Sequence, residues 1–107
     1  MIATITKDNL PEVRDLLQRM VRETFPHVEF TDIWVRGRES WGYGDEPDEV
    51  VDIWSVYEGN VGQIDPRVRN RFRTRVVDVL REMGIAASPV TRFITKDDAG
   101  DWVPEGF

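Results

Sequence analysis

Val50-Val51-Asp52-Ile53-Trp54-Ser55-Val56-Tyr57-Glu58 decides how this chain folds. Successive side chains of a strand point to opposite faces. Val51, Ile53 and Tyr57 therefore point one way, and Val50, Trp54 and Val56 the other. Both faces are partly apolar, which marks a central strand covered by helices on at least one side.

Downstream, Gly59-Asn60-Val61-Gly62 breaks the chain and a helix begins. Asp65 is placed to cap it, and Pro66 fits its first position, where no backbone N–H is needed. Its apolar stripe is Val68, Phe72, Val76, Val79, Leu80 and Met83, and Gly84 supplies a left-handed C-terminal residue. A third strand is expected over about 88–95, carrying Val90, Phe93 and Ile94. The segment from Lys96 to Phe107 holds Asp97, Asp98, Gly100, Asp101, Pro104 and Gly106, and reads as a largely irregular acidic tail with Trp102 or Phe107 tacked to the body.

Upstream, His27 to Arg36 is rich in strand formers, and its alternation slips between Phe30 and Ile33, the mark of a bulge. Before it, Leu10, Val13, Leu17, Met20, Val21 and Phe25 recur at helical spacing over about 9–25. Asn9 and Glu12 match a capping box, Pro11 suits the first turn, and Pro26 ends the helix. The resulting order is α-β-β-α-β: two helices packed on a small, mainly antiparallel three-stranded sheet. A strand at residues 2–6 would convert this into a ferredoxin-like β-α-β-β-α-β plan, kept as the alternative.

At 107 residues the chain is expected to form one domain over 1–107, burying roughly two-thirds of its extended surface on folding. It has no cysteine, which removes thiolate catalysis, cysteine-based zinc sites and disulfides. Met1 to Thr6 lacks a cationic start and a long apolar run, so no signal peptide is expected. No stretch reaches the roughly 18 apolar residues of a membrane helix. A cytoplasmic address follows as an expectation. Twenty acids against 14 bases leave a net charge of −6, which works against general nucleic-acid binding. Twelve of the bases are arginine, the better residue for bidentate pairing with carboxylate or phosphate.

The segment Gly37 to Glu49 is a long hairpin tip, since hairpin loops usually run about two to five residues. Trp41 and Tyr43 sit there between glycines, and aromatics on a loop offer contact area at low entropic cost. Asp45 and Glu46 follow in an acidic run that continues through Asp48, Glu49 and Asp52. Its spacing does not match a calcium loop, and Pro47 occupies the middle. Asp32 and Asp52 would form a paired-carboxylate site only if the hairpin brings them together.

The second helix carries Arg67, Arg69, Arg71, Arg73, Arg75 and Arg81. With the stripe facing the core, a step of about 100° per residue turns Arg67, Arg71 and Arg81 outward. Such a face either grips phosphates or an acid-rich partner, or is solvated and paired internally with Asp48, Asp97 and Asp98. His27, the only histidine, is expected as a surface or capping residue. Ser40, Ser55 and Ser88 stand in no nucleophile elbow.

Gly59-Asn60-Val61-Gly62 matches the Gly-x-x-Gly of KH domains, and the α-β-β…α-β order over about 9–95 resembles the type II KH arrangement. That resemblance implies an RNA-binding module whose loop clamps a nucleic-acid backbone. The loop differs from the family pattern in following a strand and in lacking a basic residue.

These readings converge on a small acidic protein-binding module, acting as a regulator, inhibitor or antitoxin-like partner. The expected partner-binding residues are Trp41, Tyr43, Asp45, Glu46, Arg67 and Arg71, and the acidic tip suits a basic protein partner. No catalytic residue, metal or cofactor is expected, and the exposed sheet edge leaves a homodimer open. A KH-like RNA-binding module is the alternative, and a metal-dependent phosphotransfer enzyme built on Asp32 and Asp52 comes third.

Overall fold

The computed structural model describes Ile5 and residues 8–40 and 48–101. Their elements run α1 (Leu10–Thr24), β1 (Glu29–Ser40), β2 (Asp48–Glu58), α2 (Pro66–Glu82), β3 (Ser88–Thr95) and α3 (Lys96–Ala99), with a 3-10 turn at Val61–Gln63. The sheet order is β1-β2-β3, so β2 is the central strand. β1 pairs antiparallel with β2, whereas β3 runs parallel to β2, making the sheet mixed. The parallel pairing follows from α2, which carries the chain back along the sheet before β3 begins.

The helix ends show why these segments are helical. Asp65 accepts a hydrogen bond from the Arg67 N–H at 2.8 Å, and Pro66 opens α2. At the other end Gly84 takes φ 78°. Its N–H donates to Arg81 O, and Ile85 N–H donates to Leu80 O at 2.8 Å. This is a Schellman closure, in which the left-handed residue satisfies the last carbonyls. α1 departs from expectation at its start: Asn9 has a helical backbone and makes no side-chain cap. A capping side chain needs an extended backbone to reach back over the first turn, so the capping box does not form.

α1 packs on β1, α2 packs on β3, and the helices touch each other, so both lie on one face of the sheet. The core beneath them joins Val13, Leu17 and Val21 of α1 to Phe72, Val76 and Leu80 of α2 over Ile33, Val35, Val51, Ile53 and Tyr57. Phe25, Phe30, Phe72 and Phe93 meet at ring separations of 5.3–6.5 Å, mostly edge to face. That geometry adds about 0.5–1.5 kcal/mol per pair beyond area burial.

The register of β1 on β2 shifts between Phe30 and Asp32, where the sequence alternation slips. β1 continues to Ser40 and β2 starts at Asp48, so both strands extend into the segment expected as a hairpin tip. Gly37 sits inside the strand because Ile5 lies against it; a Cβ there would come within 2.9 Å of Ile5 Cβ. The tail opens with the single turn α3, whose Ala99 is buried. Thr95 Oγ1 caps it, accepting from Asp98 N–H at 3.3 Å. The ferredoxin-like alternative falls on residues 2–6, of which only Ile5 is described.

Candidate interaction surfaces

The face of the sheet away from α1 and α2 is organised by a buried charge. Asp52 stands in the middle of β2 and is only 2% exposed. Taking a carboxylate out of water is tolerated when it is paired and hydrogen-bonded. Its Oδ2 accepts from Arg36 Nε at 3.0 Å and from Arg38 Nε at 2.5 Å. Both arginines alternate along β1 and lie across from β2, with Arg36 directly opposite Asp52. The hydrogen bond and charge of Asp52 hold the Arg38 guanidinium above its ordinary pKa, against the opposing effect of burial. Next along the ladder, Trp34 lies opposite Trp54, and the Arg92 guanidinium sits 5.2 Å from the Trp54 ring centre. The signal for this cluster was an acid inside an apolar strand and two arginines spaced two apart, which the sequence reading did not connect.

Asp32 is four positions from Arg36 along β1 and pairs with Val56, not Asp52. Four residues of strand cover about 13 Å, so the two carboxylates share a face without sharing a site. Among the described residues no group of three or more histidines or acids is placed to hold a metal ion. Asp52 is already paired with two arginines, so the cluster carries a net positive charge, which leaves it poorly suited to a cation.

α2 carries its six arginines into solvent: Arg67, Arg69, Arg71, Arg73, Arg75 and Arg81 are all exposed. None forms an ion pair with a described residue; the ion pairs there both belong to Asp52. The internal pairing expected with Asp97 and Asp98 is therefore not made. Those acids lie on α3, which packs against β2 and β3 rather than against α2. The side chain of Asp48 lies outside the described residues, as do Trp41, Tyr43, Asp45 and Glu46. Of the six expected partner-binding residues, the structure thus places Arg67 and Arg71, one turn apart on the outer side of α2.

The glycine turn between β2 and α2 is closed on itself. Gly59 takes φ 121°, and Gln63 Oε1 accepts from Asn60 N–H at 2.9 Å. His27 Nε2 donates to Gln63 O at 3.0 Å, tying the end of α1 to this turn. The Asn60 N–H is thus occupied by the chain's own side chain, and the histidine serves the fold.

A groove of about 480 Å³ runs between α1 and β1. One helix row, Arg14, Gln18 and Arg22, forms one wall, and residues 31–36 of β1 form the other. Gln18 Nε2 donates to Ile33 O at 2.9 Å and Arg22 Nη1 to Phe30 O at 3.3 Å.

No described helix is long and apolar enough to cross a membrane. No protein-family model, curated protein or solved structure matches this chain.

Proposed function

We propose that this protein is a small non-catalytic binding module, a regulator or inhibitor that docks a protein partner through the outer side of α2. The observation that carries this is a set of six exposed arginines on one helix, none engaged by a described acid, in a chain of net charge −6. Unpaired guanidiniums favour carboxylates, which they bind in bidentate fashion. The rows Arg67–Arg71–Arg75 and Arg69–Arg73 place like charges four residues apart, which disfavours the isolated helix. An acidic partner relieves that repulsion. This partner is acidic, unlike the basic one suited to the hairpin tip.

A protein suits this face better than RNA. Asp78 and Glu82 are exposed among the arginines, where they oppose a phosphate backbone but fix register on a mixed-charge protein surface. No aromatic side chain of α2 is exposed to stack a base, and the Gly59–Gly62 turn is bonded internally.

The test is affinity capture with the full chain from extract with and without nuclease treatment, followed by direct titration of the captured protein. Wild type is compared with Arg67→Glu/Arg71→Glu/Arg75→Glu. Loss of a specific protein on charge reversal supports the reading. Retention of salt-sensitive RNA, or identical capture by both forms, overturns it.

A further inference from the structure

The groove between α1 and β1 has the parts of a strand-addition site. β1 is an edge strand, and no described strand pairs with its outer side. The Ile33 carbonyl accepts from Gln18, so the main chain at Ile33 faces the groove rather than β2. Strand alternation then turns Val35 the same way. Gln18 and Arg22 hold the carbonyls of Ile33 and Phe30 with side-chain donors. Those are the positions that the N–H groups of an added strand would take. Such side-chain bonds blunt an edge that would otherwise invite pairing, so an added strand has to displace Gln18 and Arg22 from these carbonyls, and the displaced Arg22 is then available to its carboxylates.

The chemistry of the walls selects the occupant. Arg14 and Arg22 are exposed on the helix wall, two turns apart, with no acid of α1 in that row. On the strand wall Asp32 and Arg36 flank Trp34 symmetrically, a pattern a second copy of β1 would complement. A two-fold pairing would, however, set the Arg14 and Arg22 walls of both copies against each other, and like charges across an interface are costly. An acidic strand instead meets two exposed arginines on the helix wall against a single acid, Asp32, on the strand wall.

We propose that this groove binds an extended acidic peptide segment of a protein partner, added as a strand to β1 with its carboxylates against Arg14 and Arg22. The proposal rests on the protein-binding reading only in that the ligand is a polypeptide; the surface is a different one from α2.

The experiment titrates the full chain with a synthetic peptide of alternating glutamate and valine, and follows affinity together with amide hydrogen exchange at Val35. A peptide of alternating lysine and valine is the control. The expected result is binding of the acidic peptide alone, with slowed exchange at Val35. Arg14→Glu/Arg22→Glu should weaken it by about tenfold or more, while the triple reversal on α2 leaves it unchanged. Arg14→Glu alone, at a residue whose side chain bonds no described residue, should weaken it in the same direction if the double variant is unstable. Loss of binding with the α2 variant only overturns the groove and leaves the α2 reading standing. No binding, or no protection at Val35, overturns the groove outright. Protection that rises with protein concentration without peptide, together with dimer mass by light scattering, overturns it in favour of a second copy.

Discussion

Arg36 and Asp52 face each other across the β1–β2 ladder, with Nε 3.0 Å from Oδ2, and Arg38 reaches the same oxygen from two residues along β1. A buried carboxylate with two donors loses little when one is removed. It becomes an uncompensated charge when both are.

Arg36→Ala and Arg38→Ala should therefore each cost about 1–2 kcal/mol, and the double variant about 3–5 kcal/mol, more than the sum of the milder single effects. Urea unfolding of the four-member cycle measures this. An additive cycle would mean that Asp52 finds water when unpaired.

Gly59→Ala should destabilise by about 1–3 kcal/mol, because a φ of 121° is strained for any side chain and the new Cβ meets Gln63 Oε1. Gly62→Ala should be nearly neutral, since its Cβ would find only Asn60 Oδ1 at 3.4 Å and φ is not positive. Melting curves of the two variants separate the strained position from the permissive one.

Tyr57 is fully buried, and its hydroxyl has no hydrogen-bond partner among the described residues. Burial, and secondarily the Asp98 carboxylate, push its phenol above the ordinary value. The folded chain thus holds this proton more tightly than the unfolded one. Its contribution to stability is complete below about pH 10 and is lost as pH rises through the folded-state pKa. In Tyr43→Phe, which leaves Tyr57 as the sole tyrosine, tyrosinate absorbance should appear only above the ordinary phenol range, together with unfolding. Ionisation at the ordinary pH with the fold intact would show that Tyr57 is solvated.

Arg71→Glu should raise the melting temperature at low salt while weakening partner binding. It converts the Arg67–Arg71 and Arg71–Arg75 repulsions into attractions. Opposite movement of stability and affinity is the mark of a surface kept for binding at a cost to the fold. Thermal scans with and without added salt check the first half, since screening should shrink the gain.

The element order was legible because it rests on local signals. Asp65, Pro66 and Gly84 bound α2 through backbone chemistry within a few residues, and the Phe30–Ile33 slip in alternation became the bulge. The Asp52 cluster was not legible in the same way, because its three members come from two strands and meet only through register. The candidate surfaces divide likewise. Arg67 and Arg71 could be turned outward from helical periodicity alone, but whether an acid elsewhere neutralised them depended on where α3 docks.

By itself the sequence determined two amphipathic helices, a central strand and their order, because periodicity and capping act over a few residues. Only the tertiary structure decided that β3 runs parallel to β2, that Asp52 is held between Arg36 and Arg38, and that α1 and β1 leave an arginine-walled groove. Each of those depends on contacts between segments distant along the chain, which no local pattern encodes.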